Sequence, residues 1–353
     1  MTNLEHWKHH IDKAVVSLLE QELTTWRHIA WSDDFFFPLH DFISTGKRTR
    51  ALLSIAGYLL NTPEGEFDYT TELPQNLLYL CCALEFYQAS ALVHDDIIDE
   101  AETRRGAPSL HRSYAHAFAK ASPRPQAFGE KAAILCGDFL LSLADHLVAR
   151  TGNIDVISHF SHMTAEVAIG QFLDVRADEA TTCDQVSLND AMDVLTIKAA
   201  NYSVVHPTIL GALLSGCDKQ VFDSIRAVTK PWGLAFQLRD DQLGVCGNSQ
   251  VTGKPAGDDI RTGKKTPLIA FTLKNANAQQ TQFLCSVLGN PHCTDAEIMQ
   301  VIDIMTTSGA LEQHENLIQH YREQGNLALN NCQPSQGRTI LGELGEQLIN
   351  RLA

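Results

Sequence analysis

Basic side chains are scarce in this sequence: 27 Lys and Arg stand against 42 Asp and Glu, a formal net charge of −15. That deficit argues against binding nucleic acid by general electrostatics, which needs a basic surface to neutralise phosphates, and against a polybasic membrane anchor. Any anionic ligand must be gripped by a few local Lys and Arg side chains or through bound metal cations. Uninterrupted apolar runs are short. Runs such as 51–60 and 132–136 fall well below the roughly 18 residues of a membrane span, so no transmembrane segment is expected. The nine Cys residues are scattered, with one adjacent pair, Cys81 and Cys82, and no C-x-x-C. A zinc knuckle and a disulfide-built secreted scaffold are therefore disfavoured, and reduced thiols are expected. The first thirty residues carry no signal-peptide pattern, and a cytoplasmic location is expected.

Period-two alternation is nearly absent, and most of the chain reads with a period near 3.6. Leu77, Leu80, Cys81, Leu84, Ala91 and Leu92 recur at helical offsets, as do Ile134, Leu135, Phe139, Leu143 and Leu147. Pro, Gly, Asn and Asp cluster at 61–74, 122–129, 177–189, 247–259 and 289–294, which marks breaks between helices. A length of 353 residues suggests about two domains as a soft prior. No break, however, has the composition of an extended linker, and no repeat of fixed period is present. With 44% hydrophobic residues, the simplest reading is one all-α domain, residues 1–353, packed around a shared core.

The segment Leu92-Val93-His94-Asp95-Asp96-Ile97-Ile98-Asp99-Glu100 ends an apolar helical run. On a helix Asp95 and Asp99 are i and i+4, with side-chain origins about 6 Å apart. Two like charges so placed, at a helix C-terminus, are disfavoured by each other and by the dipole. A bridging divalent cation removes both penalties, and oxygen-only ligands suit magnesium. A solvated acidic helix end is the simpler alternative for one such motif taken alone. A second acidic pair follows another apolar helix, in Phe236-Gln237-Leu238-Arg239-Asp240-Asp241-Gln242-Leu243-Gly244. Facing carboxylates on helices are a common way to hold metals. A di-iron bundle is the rival, but neither cluster carries Glu-x-x-His.

In so acidic a chain, local basic groups stand out. Thr45-Gly46-Lys47-Arg48-Thr49-Arg50 opens an apolar helical run, where backbone N–H groups and cations together hold an oxyanion; the Walker spacing is absent. Arg104 and Arg105 follow the first acidic cluster, Lys198 lies in a helical stretch, and Lys254 and Lys264 flank a loop rich in Gly and Asp. Singly each reads as a surface ion pair. Together, the acidic and basic groups describe a cavity for two diphosphates, one bridged by magnesium and one held directly by Lys and Arg.

These residues resemble the trans-prenyltransferases, or polyprenyl diphosphate synthases. The matching stretches are GKRTR at 46–50, LVHDDIIDEAETRRGAPSLH at 92–111, GDFLL at 137–141, GQFLDV at 170–175, IKAA at 197–200, FQLRDDQLG at 236–244 and GKPAGDDIRTGKKT at 253–266. The resemblance implies an isoprenoid-synthase helical fold around a deep central apolar cavity. It implies metal binding by Asp95, Asp99 and Asp240, supported by Asp96 and Asp241, with three Mg²⁺ ions per site. Lys47, Arg50, Gln88 and Arg105 are implied to hold isopentenyl diphosphate. Arg104, Lys198, Gln237, Lys254 and Lys264 are implied to hold the allylic diphosphate, with Asp174 assisting through metal-bound water. Lys198 and Gln237 would also flank the allylic cation, and a homodimer is implied. Three departures stand out: Gly244 where many members carry a third Asp, Ala199 in place of the Thr that usually follows the Lys, and Thr45 in place of a first Gly.

The implied reaction is ionisation of the allylic C–O bond, attack by the terminal double bond of isopentenyl diphosphate, and proton loss. Product length is expected to follow the first bulky group below Asp95. Ser90 and Ala91 are small, and Tyr87 lies about 12 Å down the helix at 1.5 Å per residue. That depth suits a geranylgeranyl (C20) product, unless Tyr87 is an ordinary core aromatic pointing elsewhere. A farnesyl or longer-chain synthase, a terpene cyclase and a non-enzymatic regulatory subunit are the alternatives. A cyclase has no need of Lys47, Arg50 and Arg105, and a regulatory subunit is expected to carry a broken first acidic cluster.

Overall fold

The computed structural model describes residues 3–66, 72–180, 182–247 and 257–349. Helices follow one another along nearly all of them. They are α1 (Asn3–Trp26), α2 (Ser32–Ser44), α3 (Thr49–Tyr58), α4 (Gln75–Ile98), α5 (Leu110–Ala117), α6 (Pro125–Ala149), α7 (Ile154–Ala180), α8 (Leu188–Leu195), a π-helix (Thr196–Val205) and α9 (His206–Leu214). After these come α10 (Gln220–Cys246), α11 (Asp258–Thr262), α12 (Pro267–Asn275), α13 (Ala278–Val287), α14 (Asp295–Thr307), α15 (Ala310–Asn330) and α16 (Gln336–Ile349). The only strands among the described residues, β1 (Thr103–Arg104) and β2 (Ala107–Pro108), pair antiparallel as a small hairpin. The fold is all-α.

Two compact units divide the chain. The first comprises Met1–Phe160, Pro207–Cys217 and Pro334–Ile340; the second comprises Ser161–His206, Asp218–Gln333 and Leu341–Ala353. In the first unit α4 is the central element. Leu77, Leu80, Cys81, Cys82, Ala83, Leu84 and Phe86 are buried on successive faces, as expected of a helix that is apolar all round. It packs along α6. In the second unit α10 lies against α15 and the π-helix, with Trp232 buried and its Nε1 donating to Asn326 Oδ1 at 3.1 Å. A further apolar cluster of this unit joins Val245, Ile260, Leu268, Leu284, Val301 and Met305. Its helices have sharp starts. Asn277 with Gln280, and Thr294 with Glu297, form capping boxes, and Thr266 caps α12 just ahead of Pro267.

One ground given for a sequence expectation, and one expectation itself, need correction. By length and composition α4 and α6 are both long and apolar enough to cross a membrane. Counting uninterrupted apolar runs missed them, because isolated polar residues such as Glu85 or Asp138 break a run without making a helix polar. Most of the apolar stretch of α4 is buried inside the protein. Nor are all thiols reduced: Cys183 and Cys285 form a disulfide across 102 residues of sequence, joining the short 3₁₀ turn Cys183–Gln185 to α13. No local spacing could have announced it.

Candidate active site

In the first unit the loop 45–48 leads into α3 through Arg48, which adopts a left-handed conformation (φ 54°) and is buried. Its guanidinium is fully engaged. Nε donates to Asp12 Oδ1 at 2.7 Å, Nη1 to Glu85 Oε2 at 3.3 Å and Nη2 to the Ile43 carbonyl at 2.8 Å. The other Glu85 oxygen accepts the Ala51 N–H at 3.3 Å, which ties the start of α3 to α4. Burial pushes the Asp12 carboxyl up, but its bonds to Lys8 and Arg48 bring it below the ordinary value. With Arg48 locked inward, Lys47 is exposed and Arg50 half-buried on either side of it.

Arg105 also has a left-handed backbone (φ 56°), and its guanidinium donates to the carbonyl and hydroxyl of Thr45. It therefore joins the same loop. Although the side chain reaches solvent, partial desolvation and then the charges of Arg48, Arg104 and Arg50 pull its pKa below the ordinary value, against the charge of Glu85. Lys47, Arg50 and Arg105 are thus gathered at one loop, amid cations that disfavour one another.

The first acidic cluster ends α4. Asp95 and Asp99 are half-buried and share one face, whereas Asp96 is buried. Arg104 folds back on this cluster: Nε donates to Asp96 Oδ1 at 2.8 Å, and Nη2 lies 3.5 Å from Asp95 Oδ2. Burial works against the Arg104 charge, yet Asp96, Asp95 and Asp99 hold its pKa above the ordinary value. Asp96 therefore anchors an arginine, and Asp95 and Asp99 are the better-exposed pair. One turn below, Ser90 is buried and Ala91 half-buried; Tyr87 is buried and meets the Phe160 ring edge-on at 5.7 Å. Gln88 lies half-buried on the same helix.

The second unit assembles the other set. On α10 Gln237 Nε2 donates to Asp241 Oδ1 at 3.3 Å, an i,i+4 pair. Desolvation, then the charges of Asp259 and Asp240, push the Asp241 carboxyl well above its ordinary value although part of its surface meets solvent; Lys264 acts in the opposite sense. Position 244 is informative. A Cβ there would lie 1.9 Å from Asp259 Oδ2, so the glycine leaves the space to the Asp259 carboxylate. An acidic side chain from α11 thus lies beside the position where many members carry a third Asp, which sequence reading overlooked. Lys254 lies outside the described residues.

Along α7, Lys198 Nζ of the π-helix donates to Asp174 Oδ2 at 2.5 Å, and Asp178 Oδ1 accepts the Lys265 N–H at 3.2 Å. Burial, then the Asp174 charge, raises the Asp178 carboxyl to about 7, and Lys264 lowers it. Lys198, Asp174, Asp178, Lys264 and the Asp240–Asp241 pair thus belong to one unit. Sequence reading missed Arg48, Asp178, Asp259 and Glu166, the last described below.

The donor set fits magnesium. Among the described residues no three His, Cys, Asp or Glu side chains converge into a closed cage. Carboxylate pairs that leave room for water and phosphate are what a reluctantly dehydrated Mg²⁺ requires. The space at Gly244 admits a further carboxylate to such a pair, and a cation there offsets the like charges of Asp240, Asp241 and Asp259.

A family model of polyprenyl synthetases matches residues 36–305. The chain belongs to the polyprenyl synthetase family. It is 28% identical over 304 residues to a short chain isoprenyl diphosphate synthase of Methanocaldococcus jannaschii, covering 84% of this chain and 83% of that protein. It is 27% identical over 326 residues to a geranylfarnesyl diphosphate synthase of Aeropyrum pernix, covering 89% and 93%. A crystal structure of geranylgeranyl pyrophosphate synthase from Corynebacterium glutamicum, complexed with isoprenyl diphosphate and magnesium, superposes with a TM-score of 0.87 at 31% identity. That match covers 97% of this chain and 99% of the other. This polyprenyl synthetase is accordingly a prenyltransferase with the all-α isoprenoid synthase fold, and its relatives differ in product length.

Proposed function

We propose that this synthetase condenses isopentenyl diphosphate with an allylic diphosphate and releases a C20, geranylgeranyl-type product. The supporting observation is the cation cluster at the 45–48 loop. Lys47, Arg50 and Arg105, set around the inward-locked Arg48, give a second anion site that a cyclase does not need. Lys47, Arg50, Gln88 and Arg105 hold isopentenyl diphosphate. Arg104, Lys198, Gln237 and Lys264, with Lys254, hold the allylic diphosphate.

Asp95, Asp99 and Asp240 would hold magnesium, three ions per site, with Asp96 and Asp241 in support; when bound, it supplies Lewis-acid neutralisation of the leaving diphosphate. Lys198 and Lys264 add fixed positive charge to the group that departs with both electrons of the C–O bond. The amide of Gln237 and the carbonyls of the π-helix orient their dipoles at the allylic carbon. The cations of the 45–48 loop keep the terminal double bond of the acceptor in line with that carbon. The new C–C bond forms, and a proton leaves to the released diphosphate, giving the trans double bond. Apolar walls exclude the water that would trap the cation as an alcohol.

The C20 length rests on Ser90 and Ala91 being small and on Tyr87 being the first bulky group below Asp95. On the same reading both units serve a single catalytic domain. The enzyme works as a homodimer, for which the exposed apolar Phe128, Ile134 and Leu135 of α6 are the support, and it works in the cytoplasm, where the Cys183–Cys285 bridge would meet reductants. Incubation with labelled isopentenyl diphosphate, magnesium and each allylic primer in turn tests the proposal. Chromatography of the dephosphorylated products should give a C20 alcohol, and absence of any elongated prenyl alcohol defeats the assignment.

A further inference from the structure

Lys198 stands on a π-helix, Thr196–Val205. Such segments are rare beyond a single turn and recur at functional sites, so neighbouring structure has to fix their register. Here α7 does so with residues spaced by four: Glu166, Gly170 and Asp174. Gly170 admits the π-helix backbone itself, since a Cβ there would lie 2.5 Å from Lys198 N and Cα. Asp174 takes the Lys198 ammonium.

Glu166 holds the far end of the segment with both carboxylate oxygens. Oε1 accepts from Asn201 Nδ2 at 2.6 Å, and Oε2 accepts from the His206 ring, Nε2 lying 3.1 Å away. His162 Nε2, on the same helix, lies 3.8 Å from Oε2 and is largely exposed. His206 is buried. Its bond to Glu166, partial desolvation acting against it, and the bond to Asn201 hold the carboxyl of Glu166 below its ordinary value, so it acts as an anion. The two bonds clamp a residue inside the π-helix and the first residue beyond it. Together they tie that end of the segment to α7.

We propose that Glu166 is a positioning residue for Lys198: by clamping Asn201 and His206 it keeps the π-helical turn in the register that presents the Lys198 ammonium to the allylic diphosphate. This rests on the reading of Lys198 given under Proposed function. Glu166 touches no substrate and acts only through the segment it holds.

Four variants test it: Glu166→Ala, Glu166→Gln, Lys198→Ala and the double Glu166→Ala/Lys198→Ala. Each is checked for folding by circular dichroism and assayed for both KM values and for calorimetric binding of geranyl diphosphate. Glu166→Ala should raise the allylic KM and Kd about tenfold or more, because small misplacements of a positioning group are costly, and should leave the isopentenyl KM unchanged. Glu166→Gln, which still accepts from Asn201, should restore most of the loss. The double variant should be little worse than Lys198→Ala alone. If Lys198→Ala weakens allylic binding while a folded Glu166→Ala does not, or if the two losses multiply, the inference is overturned and the reading of Lys198 stands. If Lys198→Ala is silent, that reading fails and the inference with it. Should Glu166→Ala not fold, Asn201→Ala takes its place and must show the same selective rise in allylic KM; equal rises in both KM values overturn the proposal.

Discussion

Replacing Arg48 by Met separates a structural cation from the proposed binding cations on either side of it. The side chain has 4% exposure and Glu85 has 6%, so the substitution strands a buried carboxylate and also removes the donor to the Ile43 carbonyl. Removing one partner of a buried pair costs on the order of 3–5 kcal/mol. At 2–4 °C per kcal/mol for a unit of this general size, Tm should fall by roughly 6–20 °C. Asp12 retains Lys8 at 2.7 Å and adds little. Glu85→Gln should cost less, because Arg48 keeps Asp12. The double variant Arg48→Met/Glu85→Leu replaces the pair by apolar groups and should recover most of the lost stability, as buried pairs so replaced often do. It should not recover substrate binding. Without Arg48 the 45–48 loop loses its anchor, and the KM for isopentenyl diphosphate should stay elevated while the allylic KM does not move. Thermal unfolding and two-substrate kinetics on the four proteins are the assay. A loss below about 1 kcal/mol in Arg48→Met, or a double variant no more stable than Arg48→Met, refutes the reasoning.

Three further outcomes are expected. Tyr87→Ala should lengthen the product, read by chromatography of the prenyl alcohols; an unchanged length removes Tyr87 as the floor and leaves it as packing for Phe160. Gly244→Asp, which restores the family's third acid, should raise the magnesium concentration needed for half-maximal rate, because its Cβ collides with Asp259. Adding Asp259→Gly should reverse the effect, and improvement by Gly244→Asp alone contradicts the packing argument. His314 is fully buried with no hydrogen-bond partner on either ring nitrogen among the described residues, and burial lowers its pKa from the ordinary 6.5 to about 4. The folded state resists a proton that the unfolded chain accepts, so this group makes stability fall as pH drops from 6.5 toward 4. At pH 5 the penalty is about 2 kcal/mol. His314→Leu should flatten that acid limb in urea denaturation curves, and an unchanged slope excludes His314 as its source.

The parts of this protein that repeat locally were legible in its sequence. Asp95 and Asp99 share a face because four residues make about one turn, and α4 announces itself by an apolar period that returns on every side. The all-α reading follows from the same arithmetic. What was not legible depends on contacts far apart in the chain. Arg48 has the same residue type as Arg50 and lies two positions away, yet burial against Asp12 and Glu85 makes it a structural cation. The contacts of Arg104 with Asp96 and Asp95 depend on the hairpin that returns it to the end of α4. Nothing in TIKAANYSVV marks a π-helix; its form is matched by Gly170 and Glu166 on another helix. Gly244 read as a loss until Asp259 was found in the space it leaves.

The electrostatics of each unit, taken by itself, point to the same class of ligand by opposite routes. In the first unit desolvation, and then the charges of Arg48, Arg104 and Arg50, lower the pKa of Arg105, a cost that an anion removes. In the second, desolvation and then neighbouring carboxylates raise Asp178 to about 7 and Asp241 well above its ordinary value, a cost that a cation removes. A fold selected for stability alone would gather neither set, since like charges held close together disfavour their own charged forms. Retaining both makes sense where the compensating charges arrive with the substrate. A diphosphate accompanied by magnesium carries both signs, so a single ligand class accounts for the strained cations of the 45–48 loop and for the carboxyls of α7 and α10. If phosphate with magnesium failed to raise Tm above the value with sodium chloride at equal ionic strength, that common explanation would be lost.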